Sequence, residues 1–363
     1  MANSGPSEAV VLEALRAVKD PDLHRDIVSL GFIKSLKIDH GAVSFTIELT
    51  TPACPVKDQM RDQARAAVAP LAGVTGVEVT MTASVRSVAV PESGRAPVEG
   101  VKNVIAVGAG KGGVGKTTVA VNLALALAKC GGRVGMIDGD IYGPNVPIML
   151  GLQTQLTTDG KKIVPAGKYG IQVVSMGFLT GDDAPVIWRG PMLHGAIQQF
   201  FRDVRWDNLD YLIVDMPPGT GDVALTLSQT VPVAGAIVVT TPQQVSLADS
   251  RRAVRMYQKL NIPTLGIIEN MSYYACPQCG HEADIFGHGG GERLAEQLEM
   301  PFLGRIPIYQ PIREGGDNGV PLVVSEPESA AAKAFMAAAE RAAAEISIAS
   351  FARKATIPLI PVR

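Results

Sequence analysis

The segment Gly110-Lys111-Gly112-Gly113-Val114-Gly115-Lys116-Thr117 fits the spacing GxxxxGK[ST], whose chemistry is phosphate binding. Glycines permit a loop whose backbone N–H groups converge on phosphate oxygens, and a helix opening at its end adds a positive dipole terminus. The run NVIAVG precedes the motif as a strand and TTVAVNLALALAK follows as a helix, which is the context the motif requires. Lys116 is then expected to reach the β- and γ-phosphates and the Thr117 hydroxyl to ligate Mg²⁺. Mg-ATP is expected over Gly110–Thr118.

Acidic residues fall at the ends of two further apolar runs. YLIVD ends at Asp215 before MPPGTGD, a Walker B candidate holding Mg²⁺ mostly through water. RVGMID ends at Asp138, followed by Gly139 and Asp140 in DGDIYGPN. Either carboxylate also suits an N-cap or Asx turn. Asp222 reads as a helix N-cap. Asn270 ends TLGIIEN, and its amide donates and accepts together, which matches an adenine edge and equally a turn.

Four cysteines in 363 residues are not a disulfide framework. Cys276 and Cys279 form a CxxC pair, spaced to bind one metal centre but supplying half of a four-ligand site. Three readings stand: a redox pair, an intrachain zinc site recruiting His281 and His288, or a site shared across a two-fold dimer. The shared site holds a [4Fe–4S] cluster or a zinc ion. Cys130 reads as a packing residue at a helix end. Cys54 lies between a strand and a helix, where a lowered thiol pKa and a packing role are equally plausible.

These residues need elements to hold them. Apolar runs at Asn103–Gly108, Arg133–Asp138, Ile171–Met176, Leu209–Asp215, Gly235–Thr240, Thr264–Glu269 and Phe302–Ile306 alternate with helical stretches. Several are almost wholly apolar, as strands covered on both faces should be, and the order implies a doubly wound, mostly parallel α/β sheet. Ligands bind beyond the carboxyl ends of such strands, where every motif above falls. Ahead of it, a helix over Glu8–Val18, a strand over Ala42–Leu49, a helix over Val56–Ala69 and a strand over Val77–Val85 make a small α/β domain. The expected division is a small domain over 1–90, a linker over 91–100, an ATPase domain over 101–345 and a tail over 346–363.

Composition narrows the function class. Apolar residues make up 47% and the formal net charge is −2, so a packed core is expected and a broad nucleic-acid footprint is not. No run of 18 apolar residues free of charge or breakers is present, and the N-terminal residues lack a secretory pattern. A cytoplasmic protein without membrane or nucleic-acid partners is expected.

The loop GKGGVGKT carries a second lysine, Lys111, and resembles the deviant Walker A motif of the MinD/ParA/nitrogenase iron protein class. That resemblance implies a nucleotide-sandwich dimer in which Lys111 reaches the partner's nucleotide, Asp140 orients the attacking water, Asp138 lies near Mg²⁺ and Asn270 contacts the base. More widely, GKGGVGKTT, DGDIYGPN, VDMPPGTGD, TTPQQVSLADSRRAV, IENMSYYACPQCG and IFGHGGGERLA resemble the Mrp/ApbC-type ATPases, relatives of the Nbp/Cfd scaffold proteins. The resemblance implies slow ATP hydrolysis and an iron–sulfur carrier, with a [4Fe–4S] cluster bridging two CxxC pairs in a homodimer and passing to apo client proteins. KDPDLHRDIVSLGFI and TTPACPVKDQM are similar to the SufT/PaaD-type domain, which implies that Cys54 is a reactive thiol. A MinD/ParA-like positioning ATPase, a zinc-stabilised regulatory ATPase and an electron donor are the alternatives. The near-neutral charge, the CxxC pair and the prolines of the tail oppose the first.

Overall fold

The computed structural model describes residues 5–88, 95–140, 143–153, 156–178, 190–219, 221–276 and 278–354. The chain divides into two units, one of 1–86 with the stretch from Ser347 onward, the other of 87–346.

In the small unit, α1 (Glu8–Leu15) precedes β1 (Ile33–Asp39), β2 (Ala42–Leu49), α2 (Lys57–Val68) and β3 (Gly76–Ala83). Strands β1 and β2 form an antiparallel hairpin around His40-Gly41, and β3 lies parallel to β2 after the α2 crossover. Inward positions of β2 alternate Val43, Phe45, Ile47 and Leu49, all buried, which is why this strand is legible as a period of two. Strand β1 was not expected, because IKSLKID offers only partly buried apolar positions between lysines. The expected tail is not a separate element. Its described part, to Lys354, continues the last helix, and Phe351 packs edge-on against Phe32 with ring centroids 6.2 Å apart. The terminal ATIPLIPVR segment and the linker core at 89–94 lie outside the described residues.

The large unit runs β4 (Val101–Ala109), α3 (Lys116–Lys129), β5 (Val134–Asp138), α4 (Val146–Leu150), β6 (Ala166–Lys168), β7 (Ile171–Ser175), α5 (Gly190–Arg202) and β8 (Leu209–Asp215). It continues through α6 (Gly221–Thr230), β9 (Gly235–Thr240), α7 (Gln244–Lys259), β10 (Thr264–Glu269), β11 (Tyr274–Ala275) and β12 (Glu282–Ala283). The last elements are α8 (Gly290–Gln297), β13 (Phe302–Arg305), α9 (Gln310–Asp317), α10 (Leu322–Ser325) and α11 (Ala330–Lys354). Eight strands form one sheet in the order β6-β7-β5-β8-β4-β9-β10-β13. Every pairing is parallel except β6 with β7.

All seven strands expected for this unit are present. Six lie inside the sheet, with β5, β8 and β9 buried at every position, while β13 forms one edge. Helix α3 is covered nearly all round: each residue from Val119 to Leu127 is buried. The chain leaves β4 toward β5 and β8 on one side and later fills β9 and β10 on the other. The switch point therefore lies at the carboxyl end of β4, directly below the Gly-rich loop. Among the described residues, no helix is long and apolar enough to cross a membrane.

Candidate functional site

The Gly-rich loop leaves β4 at Ala109 and enters α3 at Lys116, with Gly115 as N-cap at φ 78°. A Cβ on Gly115 would stand 2.3 Å from Asn270 Nδ2, so positive φ and close approach both demand glycine there. Asn270 donates that Nδ2 to the Val114 carbonyl at 2.8 Å, tying the end of β10 to the loop. Lys116 is 6% exposed and points inward. Its Nζ donates to Asp215 Oδ1 at 2.6 Å and to Thr117 Oγ1 at 3.0 Å, while Thr117 Oγ1 donates to Asp215 Oδ2 at 2.8 Å.

Parallel register sets Asp138 opposite Asp215, so two fully buried carboxylates are neighbours across adjacent strands. Burial pushes Asp138 up to about 7, and the Asp215 charge adds to it. Hydrogen bonds from Ser175 Oγ at 2.9 Å and from the Val146 and Asp140 N–H groups at 3.2 Å oppose that shift. Burial raises Asp215 as well, against the opposing pull of Lys116. The Thr117 hydroxyl and the Asp215 carboxylate are hard oxygen donors gathered at one point, a donor set that fits Mg²⁺.

Above this cluster opens a cavity of about 800 Å³, within the size range of small-molecule sites. All the loop residues expected to bind nucleotide line it except Gly110 and Val114, together with Asp140 and Asn270. Gly110 lines a smaller cavity of about 350 Å³ beside Met216 and Tyr257, and Val114 is buried beneath the loop. Asp138 and Asp215 lie below the cavity wall. Lys111 is half-buried at the wall and has no hydrogen bond or ion pair among the described residues. Helix α6 begins at Gly221, so Asp222 falls in its first turn.

Cys276 and Cys279 occupy the tip of a small hairpin. Strands β11 and β12 pair antiparallel, the Cys276 N–H donates to the His281 carbonyl at 2.9 Å, and the Gly280 N–H donates to the Cys276 carbonyl at 2.8 Å. Cys276 is half-buried and Cys279 exposed. Backbone N–H groups of Gln278 and Cys279, with the Cys279 side chain, hold the Cys276 thiol below its ordinary value. Such a turn aims amide donors at one sulfur rather than opening a helix, so the pair is not built as a thioredoxin-like unit. No group of three metal-capable side chains gathers among the described residues. His281 and His288 therefore do not complete an intrachain zinc site; His288 Nδ1 instead lies 3.4 Å from Asp284.

Comparison with known proteins decides the family. Residues 100–343 match the family described as NUBPL iron-transfer P-loop NTPase, and residues 8–80 match one described as iron-sulfur cluster assembly protein. A Synechocystis protein named iron-sulfur cluster carrier protein is 52% identical over 347 residues, covering 94% of this chain and 98% of that protein. One of the same name from Deinococcus radiodurans is 48% identical over 340 residues, covering 93% and 95%. The chain belongs to the iron-transfer P-loop NTPases. Among solved structures, a nucleotide-binding protein from Archaeoglobus fulgidus in complex with ADP has a TM-score of 0.57 and 36% identity. That likeness covers 66% of this chain and 93% of the other.

In this iron-transfer NTPase, Cys54 lies in the small unit's core, 7% exposed in one cluster with Phe32 and Met60. A thiol so placed reacts only after local opening. Cys130 is the half-buried C-cap of α3, the helix-end position expected for it. The sequence reading passed over Met271, Ile285 and Phe286, which line the cavity, and Glu269, which is fully buried. A carboxylate closing an apolar strand in TLGIIEN was the available signal for the last.

Proposed function

We propose that this NTPase is an ATP-dependent carrier that holds a [4Fe–4S] cluster between two copies of the chain and passes it to apo-proteins. The observation that carries the reading is the cysteine tip. It offers two thiols with no third ligand gathered beside them among the described residues. Two thiolates are half of a four-thiolate site, and an isologous contact supplies the other half. The family match and the relatives' names support iron–sulfur cargo.

Nucleotide chemistry follows from the floor of the cavity. Loop N–H groups from Gly112 to Thr118 cradle the phosphates while Lys116 swings from Asp215 to the β- and γ-phosphate oxygens. That move frees the Thr117 hydroxyl and Asp215 to hold Mg²⁺, Asp215 largely through water, with Asp138 behind it. Bound Mg²⁺ neutralises phosphate charge. Asp140, on the wall, orients a water toward the γ-phosphorus; the bond to the β–γ bridging oxygen breaks, giving ADP and phosphate. Lys111 extends to the γ-phosphate of the second copy and stabilises the charge that develops there. Because Asn270 Nδ2 is committed to Val114, its Oδ1 is left to accept from the exocyclic amine of adenine.

Anaerobic reconstitution with iron and sulfide tests the carrier reading. The wild type is expected to gain broad visible absorbance and about four irons per pair of chains. Cys279→Ala is expected to lose both, and loaded wild type to pass its iron to an apo-protein. Binding of zinc alone, or iron uptake unchanged without Cys279, would instead favour a regulatory ATPase.

A further inference from the structure

The segment that carries the cysteines also builds part of the nucleotide cavity. It leaves β10 at Asn270 and re-enters the fold at α8, with the Cys276–Cys279 tip midway. Met271 on its outgoing arm and Ile285 and Phe286 on its returning arm line the cavity together with the Gly-rich loop. Ile285 is 56% and Phe286 39% exposed, in a unit whose other large apolar side chains are mostly buried. Apolar side chains left open at the mouth of a cavity gain by covering a flat, weakly polar ring, which a purine supplies.

One carboxylate clamps both ends of this segment. Glu269 is fully buried, and no cation pairs with it among the described residues. Ser272 Oγ donates to its Oε1 at 2.6 Å on the outgoing side, and the Gly291 N–H donates to its Oε2 on the returning side. A Cβ on Gly291 would stand 3.0 Å from Glu269 Cβ, so a side chain there would press on the Glu269 side chain. Separating the ends strands a buried charge, which keeps them together. From the clamp to the tip the arms stay paired through Tyr274–Ala275 and Glu282–Ala283. The paired arms give a continuous backbone route from the cavity to the cysteines.

We propose that this segment is the nucleotide sensor of the carrier: Ile285 and Phe286 close on the bound nucleoside, and the Glu269 clamp converts that closure into a changed setting of Cys276 and Cys279. The proposal rests on the reading of the cavity as a nucleotide site. Linkage makes the effect reciprocal, so cargo at the cysteines alters nucleotide affinity by the factor with which nucleotide alters cargo affinity.

Iodoacetamide labelling of the full-length protein, followed at Cys276 and Cys279 by peptide mass spectrometry, tests it. Saturating Mg-ADP is expected to change the labelling rate at least about fivefold in the wild type. Ile285→Ala and Phe286→Ala lose most of the ADP effect at ADP concentrations that calorimetry shows to saturate each variant. Glu269→Ala uncouples the tip, whereas Glu269→Gln retains the effect, since an amide still accepts from Gly291 and donates to Ser272. Equal rates with and without ADP, while calorimetry records ADP bound, overturn the proposal and leave the nucleotide reading standing. Failure of ADP to bind at all overturns both. An ADP effect that persists in full in the Ile285→Ala and Phe286→Ala variants rejects the sensor.

Discussion

The floor of the cavity and the cysteine tip, both in the large unit, are built on opposite principles. At the floor, buried Lys116 and Asp215 and half-buried Thr117 are mutually hydrogen-bonded where the first turn of α3 meets the end of the central strand β8. At the tip, two thiols sit on a two-residue-per-strand hairpin, one half-buried and one exposed, held mostly by backbone bonds. On the proposed function, one chain supplies the whole phosphate floor and only Lys111 comes from the second copy, whereas at the tip each chain supplies half of the thiols.

The sharpest way to break this contrast is at the floor. Lys116→Ala removes a charge-assisted phosphate contact and leaves Asp215 buried without its cation. Calorimetry is expected to record ADP affinity down by about 100-fold or more. The same change is expected to cost about 3–5 kcal/mol of stability in denaturant titration. Retained affinity would mean that the Lys116–Asp215 pair is structural and the loop is not a phosphate site.

At the tip the expectation runs the other way. Cys276→Ala and Cys279→Ala should abolish iron uptake yet leave the melting temperature within about 3 °C and the ADP affinity within about twofold in the unloaded protein. A large stability loss would show that the cysteines act as part of the fold. Gly115→Ala falls between the two regions, since it strains a left-handed position and collides with Asn270. It is expected to cost about 1–3 kcal/mol and to weaken ADP binding, read by thermal denaturation with and without ADP.

The smallest effects lie at the periphery. Phe351→Ala removes a half-buried ring from Phe32 and is expected to destabilise the small unit by about 1–2 kcal/mol without changing ADP affinity. A matching loss of ADP binding would contradict the assignment of that stretch to the small unit. The lowered pKa of Cys276 gives a pH signature, because thiolate is the reactive form. Its labelling rate should reach half-maximum at a lower pH in the folded protein than in the same chain unfolded in denaturant. Coincident midpoints would mean that the amides of Gln278 and Cys279 do not reach its sulfur.

Much of this was legible in the residues, and the reason is local. The seven expected strands of the large unit are contiguous apolar runs, and GKGGVGKT names its own geometry because it needs only a strand before it and a helix after. Where meaning depends on a distant partner the sequence was silent. Phe351 finds Phe32 across most of the chain, β1 is recognised by its hairpin with β2, and Glu269 matters through Gly291. The half-site at Cys276 and Cys279 was visible from spacing, but its lack of a third ligand needed the positions of His281 and His288.

Native mass spectrometry of the anaerobically reconstituted protein tests the central claim most directly. The predicted result is a dimer carrying one four-iron, four-sulfide cluster, with Cys276→Ala and Cys279→Ala variants recovered without it. Monomers that each retain their own metal, or dimers whose iron survives loss of either cysteine, would contradict a cluster shared between two chains.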